Sequence, residues 1–281
     1  MQNQPNRGVA AFAAIAALAV GLGAGYAIWG WPTNWYAREV AKLPPGAEGD
    51  LIRYGHTLII DTASNIGKGA ANPEMRLAGN NLACVNCHLD AGLKPFAAPF
   101  VSTFATFPML VDDQVLTLTE RINGCKTRSL NGTALPSGGK EMNVLIAYIK
   151  YVGQGTPQGV RIAGTGLRPL RAAAAAPDGR RGEVVYAKLC ASCHKADGQG
   201  ELRGAPRIGY SIPPLWGDES FNAGAGMSRL QYAAAYIHDN MPFGVNYREP
   251  VLTDQQAWDV AAYMTAQPRP AAPPKAASPL P

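Results

Sequence analysis

Cys84-Val85-Asn86-Cys87-His88 and Cys190-Ala191-Ser192-Cys193-His194 are the two stretches that decide how this chain is read. In C-x-x-C-H the two thiols add across the vinyl groups of a haem to form thioethers, and the adjacent histidine is held under the iron as proximal ligand. A single such motif also suits a redox dithiol or half of a zinc site. Two of them, each after a helix-like stretch and each followed by a sulfur ligand candidate, point to haem. The expectation is two covalently bound haem c groups, one on Cys84 and Cys87, the other on Cys190 and Cys193. His88 and His194 are the proximal iron ligands.

Outward from the motifs the chain repeats itself. Before the first lies a helix-like segment over 50–62, and after it come a helical segment over 115–122, then Cys125, then a helix over 140–152. In that last helix Val144, Leu145, Tyr148 and Val152 recur at helical spacing, and Gly153 ends it. Around the second motif the order is helix (182–189), motif, Pro213-Pro214 loop, helix (228–238), Met241, helix (254–267) with Thr253 as N-cap. The fold class is all-α: two class I cytochrome c modules in tandem, at 49–157 and 179–267, joined by a Pro/Ala-rich linker at 158–178. A tail at 268–281, also rich in Pro and Ala, reads as disordered.

A chain of 281 residues is too long for one such module and leaves room for an N-terminal extra. Residues 9–31 carry no charge, and Tyr26, Trp29, Trp31, Trp35 and Tyr36 cluster like an interfacial aromatic belt. With no convincing cleavage site after it, 1–31 reads as a transmembrane helix or signal anchor, and 32–48 as a tether. The alternative is a cleaved secretory signal. Either places the rest on the periplasmic side of a bacterial cytoplasmic membrane. The formal charge of +5 does not imply nucleic acid, since no run of five Lys or Arg occurs. The four propionates of two haems would also bring it to about +1.

Five cysteines leave Cys125 unassigned. It sits where the second half keeps Met241, after a helix and a short distance before the last helix. Met241, in Asn240-Met241-Pro242-Phe243-Gly244, is the candidate sixth ligand of the second iron, with Met227, Met264 and His238 as rivals. For the first iron the candidates are Cys125, Met142, Met75 and His56. Arg121, Lys126 and Arg128 around Cys125 favour its thiolate, a strongly donating ligand, and the alternative is a buried free cysteine.

Gly79-Asn80-Asn81-Leu82-Ala83 running into Cys84, then His88-Leu89-Asp90-Ala91-Gly92, resembles the first haem motif of the dihaem thiosulfate dehydrogenase (tetrathionate-forming) family. So do Glu120-Arg121-Ile122-Asn123-Gly124-Cys125, Arg128-Ser129-Leu130-Asn131-Gly132 and, in the second half, His238 to Gly244. The resemblance covers about residues 50–267. It implies that His88 and Cys125 ligate an active-site haem and that His194 and Met241 ligate an electron-exit haem. It also implies an enzyme joining two thiosulfates into tetrathionate, or the reverse. Electrons would pass to a c-type cytochrome or a terminal oxidase. A dianionic substrate needs cations, and Arg128 first, then Arg121, Lys126 and Lys94 are the candidates; each reads equally as a surface charge or a propionate partner, and for Lys126 and Lys94 that is the preferred reading. One stretch departs from the family pattern: Phe107-Pro108 is followed by Met109-Leu110-Val111-Asp112-Asp113, two acids where a basic residue is usual. The competing reading is a membrane-anchored electron-transfer subunit without catalysis, since the same fold serves both.

Overall fold

The computed structural model describes residues 38–111, 113–204 and 208–274. The chain divides into Met1–Trp35 and a compact unit Tyr36–Pro281, to which all described residues belong. The expected anchor at 1–31 lies outside the described residues, and among these no helix is long and apolar enough to cross a membrane.

The first half is built on helix α1 (Ala47–Ile60), α2 (Leu118–Arg128) and α3 (Lys140–Val152). Ile52, Leu58 and Ile59 of α1 face Val144, Leu145, Tyr148, Ile149 and Val152 of α3 in one apolar core. Leu58, Val144 and Val152 are fully buried, each worth about 1.5–3 kcal/mol. The helices meet at Gly55, where an added Cβ would lie 2.0 Å from the Val144 carbonyl oxygen. Tyr148, fully buried, donates its hydroxyl to the Ala91 carbonyl at 2.8 Å and so ties the last helix to the loop after His88.

The second half repeats that device with α4 (Gly179–Leu189), α5 (Leu230–Asn240) and α6 (Asp254–Thr265). Tyr186, Trp216, Ala233, Ala234, Ile237, Val260 and Met264 form its core. Here α4 and α6 cross at Gly182, whose Cβ would lie 2.0 Å from the Asp259 carbonyl oxygen. Arg181 grips the Asp259 carboxylate bidentately at 2.7 and 2.8 Å, pinning the same crossing.

The fold is helix-rich, but two small hairpins interrupt an all-α description. Strand β1 (Met109–Val111) pairs antiparallel with β2 (Gln114–Leu116), and β3 (Glu201–Leu202) with β4 (Tyr210–Ile212). The first corrects the helix expected over 115–122: β2 occupies 114–116, and α2 starts only at Leu118. Thr117 and Glu120 form the capping box that fixes that start, Thr117 Oγ1 accepting from the Glu120 N–H and Glu120 Oε2 from the Thr117 N–H. Cys125 therefore lies within the helix rather than beyond it.

The connection between the halves is packed down. Gly164 and Gly166 carbonyls accept from the Phe96 and Ala98 amides, and Arg168 chelates Asp239 at 2.6 and 3.0 Å. The tail is also held at its start, against the disorder expected from 268 on: Pro268 and Pro270 carbonyls accept from Gly217 and Ala223. The halves meet directly at the end of α2. Buried Asn80 donates to the carbonyls of Ser129 and Ser220, and Asn222 donates its backbone N–H to Arg128 and its side chain to Thr127.

Candidate functional site

Both C-x-x-C-H motifs adopt one local geometry. The His88 N–H donates to the Cys84 carbonyl, and the His194 N–H to the Cys190 carbonyl, each at 2.9 Å. The first motif is docked by Thr62, fully buried, whose Oγ1 accepts from the Cys84 N–H at 3.0 Å.

The two histidines are oriented alike. His88 Nδ1 lies 2.6 Å from the Ala98 carbonyl, and His194 Nδ1 2.9 Å from the Pro213 carbonyl. A carbonyl only accepts, so Nδ1 carries the proton and each Nε2 keeps its lone pair for a metal. Burial pulls His88 down to about 4, the Ala98 bond pushing back and Arg121 adding to the fall. Burial lowers His194 also. Both imidazoles are neutral near pH 7, the state an iron requires. The Phe100 ring lies 4.5 Å from that of His88. Gly92, at φ +84°, makes room for it, since a Cβ there would lie 2.1 Å from the Phe100 ring.

All five cysteines are free thiols, so no disulfide competes with thioether formation. Burial raises Cys84, and it pushes Cys87 up to about 12, with charge on Cys125 and Cys84 adding to the rise. Cys125 therefore lies within electrostatic reach of both thiols. Burial takes Cys190 up to about 11, Cys193 contributing. No group of three or more His, Cys, Asp or Glu among the described residues is placed to hold a bare metal ion, so the zinc alternative has no ligand set. The donor sets, two thiols and a neutral imidazole at each motif, fit covalent haem.

The rival ligands differ in their surroundings. Met142 is fully buried in the first core and Met264 is buried in the second. Met75 packs on the first core, and His56 lies 5.4 Å from the Tyr148 ring. His238 uses both ring nitrogens, Nδ1 to Asp239 at 2.8 Å and Nε2 to Asp254 at 3.2 Å. Met241 ends α5 in an extended conformation and packs against the Leu89, Ala97 and Tyr236 cluster, as does Met227.

The cations separate. Arg121 acts on His88, so it reaches the first site. Arg128 folds back along α2, its Nε donating to the Gly124 carbonyl at 3.0 Å. Lys94 spans to the other half, Nζ donating to the Val245 carbonyl at 2.8 Å. Lys126, whose preferred reading is a surface charge or a propionate partner, is 3 % exposed and its Nζ has no hydrogen-bond partner among the described residues. Burial pulls it down to about 8, and charge on Cys84 pushes it back. Asp113 falls at the turn of the exposed β1–β2 hairpin; Asp112 lies outside the described residues.

Sequence reasoning missed Tyr236. It is buried on α5, its hydroxyl has no partner among the described residues, and burial together with charge on Cys87 and Asp90 raises its pKa. It thus connects the first motif to the helix that ends at Met241. Met241 follows Tyr236 by five positions, a spacing that would have signalled only core.

Comparison with known proteins identifies the family. A family model described as Cytochrome c matches residues 179–267. The thiosulfate dehydrogenase of Allochromatium vinosum is 39% identical over 236 residues, covering 82% of this chain and 82% of that protein. That of Stutzerimonas stutzeri is 38% identical over 230 residues, covering 81% and 70%. Among solved structures, the thiosulfate dehydrogenase TsdBA from Marichromatium purpuratum in its as-isolated form matches with a TM-score of 0.76 at 34% identity. The match covers 85% of this chain but 50% of that one, so the present chain spans half of its length. A cytochrome c fold and this identity over most of the chain show that the protein belongs to the thiosulfate dehydrogenase family.

Proposed function

We propose that this chain is a periplasm-facing dihaem enzyme of two class I cytochrome c modules in tandem, which oxidises thiosulfate to tetrathionate or runs the reverse. His88 and Cys125 would hold the first haem and His194 and Met241 the second. Haem, when bound, accepts one electron at a time at its iron. The reaction joins two thiosulfates through a new S–S bond and releases two electrons, which leave towards a c-type cytochrome or a terminal oxidase.

The observation that supports this reading is that two residues of one helix face, Arg121 and Cys125, lie within electrostatic reach of the first motif. Cys125 acts on both thiols of the first motif, and Arg121, one helical turn earlier on α2, acts on His88. An i, i+4 spacing puts Arg121 and Cys125 on one helix face. A guanidinium there can hold a sulfonate group and offset repulsion between two dianions. Arg128, with Nε engaged at Gly124, supports the helix end near Cys125. Neutral His88 and His194 are positioned by the Ala98 and Pro213 carbonyls. Export is supported by the uncharged run over 9–31 and by the C-x-x-C-H motifs.

Cys125→Ala tests it. The variant is expected to retain two covalent haems by mass, to lose thiosulfate turnover with ferricyanide, and to lose the low-spin magnetic-resonance signal of a thiolate-ligated haem. Full turnover with an unchanged spectrum would refute ligand and mechanism together. A wild-type protein with two haems and no turnover in either direction would favour the electron-transfer subunit.

A further inference from the structure

Met241 stands in a stretch with no helix or strand of its own. Helix α5 ends at Asn240, and the chain beyond it makes a turn in which the Val245 N–H donates to the Pro242 carbonyl at 3.2 Å. Several holds on this loop come from outside the second half. From the loop after His88, Lys94 Nζ donates to the Val245 carbonyl at 2.8 Å, and the Phe96 carbonyl accepts from Asn240 Nδ2 at 3.1 Å. A further hold is a single guanidinium on the connection between the halves. Arg168 chelates the Asp239 carboxylate, Nε at 3.0 Å and Nη2 at 2.6 Å, and Nη2 also donates to the Tyr247 carbonyl at 3.3 Å. One side chain thus joins a residue two before Met241 to a residue six after it and draws the ends of the loop together.

Asp239 depends on that partner. It is 2 % exposed and lies in the last turn of α5, where the helix dipole disfavours an anion. A buried carboxylate needs its charge paired, and the fork of Arg168 fixes the pair in direction as well as distance. His238 Nδ1 lies 2.8 Å from the same carboxylate. The guanidinium is itself anchored on both sides: the Gly166 carbonyl accepts from the Ala98 N–H, and the Arg171 carbonyl from Trp258 Nε1 at 2.8 Å.

We propose that Arg168 is a positioning residue for the second iron: by tying Asp239 to Tyr247 it keeps the Met241 loop closed and the thioether on the metal. This rests on the reading of Met241 as the sixth ligand. A thioether favours ferrous over ferric iron, so in the ferric state the grip on the loop decides how often the ligand leaves.

The test is a titration of the ferric holoprotein with imidazole, which binds an iron only when its sixth position is vacant. The signal is the near-infrared band of a His/Met ferric haem, which the second haem alone carries. The apparent affinity of imidazole scales with the fraction of protein whose loop is open. In R168Q that affinity should rise roughly tenfold to a hundredfold, the worth of a lost charge-assisted contact. D239N breaks the same contact from the other side and should show a similar rise; it reads the same quantity if R168Q does not fold. The double variant should match the larger single effect, because both substitutions remove one interaction. An unchanged affinity in R168Q or D239N, with only Tm lowered, would overturn the proposal, since the pair would then support the fold and not the ligand. Effects that add in full in the double variant would overturn it as well. A wild-type protein without the band would refute Met241 as ligand, and the proposal with it.

Discussion

Replacing Gly182 by alanine tests the closest helix crossing in the second half. The new Cβ would lie 2.0 Å from the Asp259 carbonyl oxygen, 2.5 Å from its carbon and 2.9 Å from Tyr263 Cβ. Two of the three are backbone atoms, so no rotamer can move aside and α4 must part from α6 by about 1 Å. Overpacking of this kind costs about 1–3 kcal/mol. Alanine returns roughly 1 kcal/mol through helix propensity. The net loss is up to about 2 kcal/mol, its upper end reached if the Arg181 grip on Asp259 is also stretched. For a unit of this size each kcal/mol lowers Tm by roughly 2–4 °C, so a fall of up to about 8 °C is expected in thermal unfolding of the holoprotein followed by circular dichroism. Gly179→Ala is the control, because its Cβ would meet nothing nearer than 3.7 Å; it should melt with wild type or slightly above. Gly182→Ala melting above wild type would mean that propensity alone decides and the crossing is not as close as described.

The pH dependence of stability should carry the signature of Asp259. Burial raises its carboxyl, but the Arg181 and Asp178 hydrogen bonds outweigh this and hold it below the usual carboxylate range. Its contribution is therefore complete above that range and lost as pH falls through it, and Asp259→Asn should flatten the acid limb of a Tm-against-pH curve; an unchanged limb would refute the assignment. Met241→Ala should lower the second haem's potential and abolish the weak near-infrared band of a His/Met ferric haem, and survival of the band would hand the role to Met227. Arg121→Gln should reduce kcat/KM for thiosulfate by roughly tenfold to a hundredfold, the worth of a charge-assisted contact. Arg128→Gln should reduce it less, and the opposite order would show that the folded-back Arg128 opens towards substrate.

Where periodicity and punctuation agreed, the sequence was sufficient. The last helix of the first half runs over Lys140–Val152 as its apolar spacing and Gly153 require, and Thr253 caps α6 with a capping box to Gln256. The segment before Cys125 went wrong because Val115 and Leu116 look helical beside Ile122, although their neighbours lie in an exposed hairpin. Thr117 and Glu120, three apart, were the overlooked signal for the true helix start. The expected match of Cys125 to Met241 holds only in that both precede the last helix of their half: Cys125 lies inside α2, whereas Met241 ends α5. Which cation reaches the site was not, since Arg121, Lys126 and Arg128 differ only in how tertiary packing disposes them. A lysine flanked by Cys125 and Thr127 gives no local sign that it will be buried.

The junction at the end of α2 has a kinetic consequence. The carbonyls of Thr127, Arg128 and Ser129 are among those a helix terminus leaves without partners, and they are satisfied by Asn222 and Asn80 rather than by water. Asn80 in turn bonds Ser220 of the other half, so the helix bearing Cys125 is finished by residues from both sides of the chain. Halves locked in this way need not search for one another before an electron crosses. Passage from the first site to the second should therefore proceed at a rate indifferent to solvent viscosity, unlike the onward step to any diffusing acceptor.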